Sequence, residues 1–202
     1  MAKAIYTIGY SGFPVVRDFV STLKQYGIQI LIDVRSSPFS TYFESYNKDQ
    51  LARILRENGI YYANYARQFG ARQEDLSFYK NGRLDFELFS QSEQFLDGVQ
   101  SVERSQAVIA FMCAEKHPSE CHRAILVTRA FNERGHEIIH IKPGDITLSQ
   151  SDLDQELLDK YFPNRAQTSL FEENEKTEAE YIADAYRLRN DEIGFRLEDL
   201  EK

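Results

Sequence analysis

Cysteine is scarce: only Cys113 and Cys121 occur in 202 residues. That excludes a disulfide scaffold and makes a reducing cytoplasm the expected setting. Long hydrophobic runs are missing too. Stretches such as residues 107–114 fall far short of the roughly 20 apolar residues a membrane helix needs, so no membrane partner is expected. No charged-then-apolar leader opens the sequence, so no secretory signal is expected. Positive charge is in deficit, with a net charge of −8. Residues 172–202 hold eleven acidic and five basic side chains, a net of −6, which leaves −2 for the preceding 171. This excludes a globally basic nucleic-acid binder but leaves room for a local basic pocket. Also absent are internal repeats, a complete catalytic triad, a phosphate-cradling glycine loop and paired metal-ligand spacing.

What is present suffices for one domain. The chain is 42% hydrophobic, 28% charged and 13% aromatic, which excludes wholesale disorder. Residues 4–8, 29–34, 59–63, 107–112 and 137–142 read as strands. The fourth is apolar throughout, as a strand buried on both faces would be. Helical patterns fall at 14–26, 48–58, 85–104 (broken near Gly98), 120–134 and 151–161, the last capped by Ser149 or Ser151. Alternation of the two types predicts an α/β fold, a mostly parallel sheet flanked by helices in a Rossmann-like three-layer sandwich. Residues 1–148 are expected to form that domain, and 149–202 a helical acidic extension ending in a solvated helix or mobile tail.

In an open parallel sheet, ligands bind beyond the carboxyl ends of the strands. Three strands end in chemically useful residues: Gly9-Tyr10-Ser11-Gly12, Asp33-Val34-Arg35, and Cys113-Ala114-Glu115 followed by Cys121-His122-Arg123. A helix starting near Cys121 would offer free N–H groups and a positive dipole end. Arg123 then reads as an anion fork, or as an ion-pair partner of Asp33 or Glu115. Cys113 reads as a small core residue, as a nucleophile, or as a metal ligand with Cys121 and His122, joined by Glu115 or His117. Asp33 and Arg35 face the same way on an extended strand. They form a base and anion clamp, or an ion pair that fixes the next loop. Ser11 caps the following helix or touches ligand. Tyr61, Tyr62, Tyr65, Arg67, Phe69 and Arg72 mix stacking faces with cations, a mixture suited to bases and phosphates or to a half-buried loop.

Several of these pieces, taken in order, resemble the signature of the bacterial domain-of-unknown-function family 488. They are Thr7-Ile8-Gly9-Tyr10-Ser11, Asp33-Val34-Arg35 with Pro38, Phe69-Gly70-Ala71-Arg72, and Cys113-x-Glu115…Pro118-x-x-Cys121-His122-Arg123. The resemblance spans roughly residues 4–145, with Ala71 where the family's third motif has a second glycine. It implies a compact α/β domain and supplies no reaction. A looser similarity to the rhodanese layout stops at the interval between Cys113 and Arg123, which is too long for that family's sulfur-wrapping loop. In the tail, Gln167-Thr168-Ser169-Leu170-Phe171 is similar to the pentapeptide that docks bacterial DNA-maintenance proteins on the sliding clamp. Leu170 and Phe171 would be its apolar anchors, or would fold back on their own domain.

Three functions follow. The first is an enzyme or binding domain for a phosphate-bearing nucleotide or nucleic acid. There Cys113, Asp33 and His122 are catalytic, and Ser11, Arg35, Glu115, Arg123 and Arg72 bind ligand. The second is a non-catalytic DNA-maintenance adaptor recruiting the clamp through Gln167, Leu170 and Phe171. The third is a metal- or redox-sensing protein built on Cys113, Cys121 and His122, the one route to a cofactor. Oligomeric state is left open. All three assume that the Asp-Val-Arg and Cys-His-Arg turns share one pocket.

Overall fold

The computed structural model describes residues 2–165 and 176–200. The Gln167–Phe171 motif therefore lies outside the described residues. Among the described residues eight strands occur: β1 (Ala4–Gly9), β2 (Ile30–Asp33), β3 (Tyr61–Asn64), β4 (Tyr79–Lys80), β5 (Arg83–Leu84), β6 (Ile109–Cys113), β7 (Glu137–Lys142) and β8 (Ile146–Ser149). Six form one sheet, in the order β3-β2-β6-β1-β7-β8, with β4 and β5 a separate small hairpin. Within the six-stranded sheet the pairs from β3 to β7 are parallel, and β8 is antiparallel to β7.

The helices are α1 (Val16–Gln25), α2 (Lys48–Glu57), α3 (Ala66–Phe69), α4 (Phe86–Ser90), α5 (Glu93–Arg104), α6 (Arg129–Asn132), α7 (Gln150–Tyr161) and α8 (Glu178–Ile193). One face of the sheet packs Ile8, Leu31, Ala110 and Met112 against Phe19 and Leu23 of α1 and Leu51 and Leu55 of α2. The other packs Ile5, Ile32, Val34, Phe111 and Cys113 against α5, α6, α7 and α8. The expected α/β sandwich is present, because each strand of the central four presents apolar residues to both faces.

Two boundaries differ from expectation. The 85–104 stretch breaks at Ser92, whose hydroxyl accepts from Phe95 N–H at 3.3 Å, and not at Gly98. Gly98 lies inside α5 because a Cβ there would come within 2.7 Å of the Gln68 side chain and 2.9 Å of Phe69. It permits close packing of α3 on α5 and does not end the helix. The Pro143-Gly144 stop is a hairpin, with Gly144 and Asp145 at φ 81° and 58°. It adds β8 to the sheet. Ser149 then caps α7 in a reciprocal capping box with Asp152.

Within the acidic end, Glu178–Ile193 forms α8, which is fastened rather than merely solvated. Its Ala185, Tyr186 and Arg189 are buried. Tyr186 Oη accepts from Gln150 Nε2 at 2.5 Å and donates to Asp154 at 2.6 Å. Gln150 Oε1 in turn accepts from His140 at 3.2 Å and from Thr128 at 3.2 Å. This buried chain of polar groups ties α8 and α7 to β7.

Candidate functional site

Strands β2, β6 and β1 are neighbours, so Asp33, Cys113 and Gly9 end at one edge of the sheet. The expected rim exists. Its side chains, however, divide between the two faces. Asp33 lies beside Met112, and Val34 N–H bonds the Met112 carbonyl at 3.0 Å. Side chains alternate along a strand. Asp33 and Arg35 therefore join the α1–α2 layer, while Val34 and Cys113 join the other. The shared-pocket expectation is corrected accordingly: the two turns adjoin, and their side chains form two clusters.

On the first face, Asp33 accepts from Arg35 Nε at 2.9 Å, Arg35 Nη2 at 2.6 Å and Tyr62 Oη at 2.7 Å. Arg35 Nη2 also donates to the Tyr46 carbonyl at 2.8 Å, and its guanidinium lies 5.0 Å from the centre of the Tyr10 ring. Burial opposes the charge on Arg35, but Asp33 outweighs it, so the guanidinium is held above its ordinary value. Burial and the Asp33 charge push Tyr62 up. Charge and hydrogen bonds here close on one another, with Arg35 Nη1 alone left unpartnered.

On the second face, Cys113, Cys121 and His122 are all buried, and their ligand atoms lie within 4.8 Å of one another. His122 Nε2 is 3.0 Å from the Val34 carbonyl, which can only accept, so Nε2 carries a proton. The other ring nitrogen, Nδ1, then faces Cys113 Sγ at 3.8 Å and Cys121 Sγ at 4.0 Å. Burial and the neighbouring Cys121 push the Cys113 thiol up. Burial also opposes a Cys121 thiolate, but the Cys113 hydrogen bond, the Arg123 charge and His122 outweigh it and hold Cys121 well below the usual thiol range. The more acidic sulfur is thus Cys121, whereas sequence reasoning favoured Cys113. His122 is raised in spite of burial, through Cys121 and Glu115. Burial and Cys121 push Glu115 up to about 7.

The backbone supports this cluster. Pro118–Glu120 forms one tight turn, and a wider π-type turn then runs over Arg123–Thr128 into α6. Such turns recur at functional sites. Arg123 N–H points at Cys121 Sγ, 3.4 Å away. The Arg123 guanidinium pairs with neither Asp33 nor the Glu115 carboxyl. Its Nη1 donates to the Glu115 carbonyl at 2.7 Å and its Nη2 to the Lys116 carbonyl at 3.4 Å. Gly9 is required beside it, since a Cβ would sit 1.8 Å from the Glu115 oxygen.

The remaining candidates lie apart. Ser11 is exposed, and its N–H bonds the Ala114 carbonyl at 3.0 Å. No side chain caps α1. Arg72 is exposed against the Phe195 ring at 4.5 Å and lines a cleft of about 490 Å³ with Ser36, Arg67, Gln73 and Gln94. Tyr65 and Phe69 stack together, and Phe69 is core. His117 turns to Ser119 at 2.8 Å and Glu156 at 3.7 Å. Sequence reasoning missed Arg189, whose Nε reaches from α8 to the Ser119 carbonyl at 2.6 Å. An acidic tail gave no signal for it.

Cys113, Cys121 and His122 could hold a metal ion. Two sulfurs and an imidazole suit zinc and similar ions, and a histidine whose far N–H is fixed by a carbonyl is the usual support for such a ligand. A family model described as "Domain of unknown function DUF488" matches residues 15–130, more than half of the chain, including Asp33, Arg35, Tyr62, Cys113, Cys121 and His122. No curated protein and no solved structure matches.

Proposed function

The chain belongs to the DUF488 family, and we propose that it is a metal-binding protein whose Cys113, Cys121 and His122 hold one transition-metal ion of the zinc class. One observation carries the reading. Both sulfurs converge on Nδ1 of a histidine whose other ring nitrogen is locked by the Val34 carbonyl. Core packing alone has no need of such convergence. Soft thiolate and imidazole donors select this class of ion. Because the ligands are buried, the ion enters as the chain folds, and binding adds to folding stability.

The phosphate-ligand reading draws less support. Arg35 and Arg123 are 4% and 1% exposed and are already engaged with Asp33 and main-chain carbonyls.

Refolding with cobalt(II) as a coloured substitute tests the reading. The expected result is one equivalent bound with thiolate-to-cobalt charge-transfer absorption, lost in Cys121→Ser and His122→Ala. Absence of that absorption from the wild type contradicts it.

A further inference from the structure

Arg67 and Arg72 are cations that the metal reading leaves unused. Both are exposed, and both line the cleft of about 490 Å³ together with Ser36, Gln73, Glu74 and Asp75. Ser36 follows β2 and Arg67 follows β3. The cleft therefore lies beyond the carboxyl ends of two adjacent parallel strands, where open α/β sheets receive ligands. Its volume is that of a small-molecule site.

The loop carrying Arg72 is held in place before any ligand arrives. Gln73 is buried, and its side chain donates to the Gly70 carbonyl at 2.6 Å and accepts from Gln94 at 2.7 Å. Its main-chain N–H donates to Tyr79 Oη at 3.1 Å, and its carbonyl accepts from the same hydroxyl at 2.9 Å. Arg72 N–H donates to Ser36 Oγ at 2.8 Å. Gly70 leaves room for that bond, since a Cβ there would lie 2.7 Å from Ser36 Oγ. The charges, meanwhile, are kept apart. Arg67 has no hydrogen bond or ion pair with a described residue. Arg72 lies over the Phe195 ring, which leaves the rim of its guanidinium for a partner. Asp75 spends a carboxylate oxygen on Ser77 N–H at 2.9 Å.

We propose that this cleft binds a small phosphomonoester, with the phosphate between Arg67 and Arg72 and its hydroxyl or amino groups toward Glu74. A carboxylate fills one guanidinium fork, whereas the three oxygens of a phosphate serve two. The site is separate from the metal cluster and does not rest on it.

Titrating the full-length protein with inorganic phosphate at constant ionic strength, with NMR of the arginine Nε–Hε groups, tests this. Saturable shifts at Arg67 and Arg72 are expected. Arg67→Gln should weaken binding by about tenfold, whereas Arg104→Gln, in the exposed last turn of α5, should leave it unchanged. AMP and glycerol phosphate distinguish a nucleotide from a simpler ester, and at least one should bind more tightly than inorganic phosphate. Shifts that stay linear with phosphate, equal losses in the two variants, or esters that both bind more weakly than inorganic phosphate overturn the proposal.

Discussion

Two clusters sit at the same edge of one sheet, on opposite faces, and they differ in how their polar atoms are satisfied. Asp33, Arg35 and Tyr62 pair every carboxylate oxygen with N–H or O–H donors, with Arg35 Nη1 left over as an unpartnered donor. Cys113, Cys121 and His122 gather atoms that are mostly acceptors once ionised, with the one ring N–H already given to Val34. The lesson concerns stoichiometry of donors. A buried cluster whose acceptors all meet donors holds together as protein. A cluster of converging lone pairs calls for protons or a metal.

The largest expected effect breaks the balanced side. Asp33→Ala leaves the Arg35 charge buried without its partner and should cost about 3–5 kcal/mol, read by urea denaturation, with metal content unchanged. Replacing both Asp33 and Arg35 by leucine should recover most of that loss. A double variant as unstable as the single one would mean that the pair does more than satisfy itself.

On the other face, His122→Ala should abolish metal binding. It should also remove the linked stability, about 3 kcal/mol when free metal is a hundredfold above the wild-type Kd. The same loss should appear in the wild type on adding chelator, and chelator should do nothing further to the variant. Thermal unfolding with and without chelator measures both.

His140, buried like His122, sharpens the contrast. His140 has both ring nitrogens occupied, by Thr7 at 2.8 Å and Gln150 at 3.2 Å. Burial chiefly, with help from the Arg123 charge, pulls it down to about 3. The folded state therefore keeps His140 neutral, while the unfolded chain takes up a proton below its ordinary value of 6.5. Stability from this group is full above that value and is lost as pH falls from about 6.5 toward 3, by about 1.4 kcal/mol per unit. His140→Asn should flatten the acid limb of stability against pH by that slope. An unchanged slope contradicts the assignment.

The smallest effect concerns the brace from α8. Arg189→Ala removes the bond to the Ser119 carbonyl and should cost about 1 kcal/mol, with faster proteolysis of the 116–120 loop and metal content preserved.

Much of this was legible in the sequence. Apolar or β-rich runs, several of them bounded by glycine or proline, marked all five parallel strands, and the spacing of Asp33 and Arg35 put them on one face. The convergence of Cys113, Cys121 and His122 was readable as one alternative. The separation of the clusters was not, because it depends on Asp33 pairing with Met112 rather than Cys113. That register is set by long-range sheet pairing, and a slip of one residue moves every side chain to the other face. Gly98 misled because a helical glycine looks like a breaker when it is a contact point. The buried face of α8 was masked by acidic neighbours on its exposed face. The β7–β8 hairpin carried its signal in Pro143-Gly144-Asp145, which resembles a domain boundary as much as a turn.

The most direct measurement is the metal content of the chain purified without chelator, by elemental analysis, alongside thiol titration of the folded protein. The account predicts one equivalent of zinc or a similar ion, with Cys113 and Cys121 unreactive until the metal is removed. Substoichiometric metal, with both thiols titrating freely in the folded protein, would contradict it.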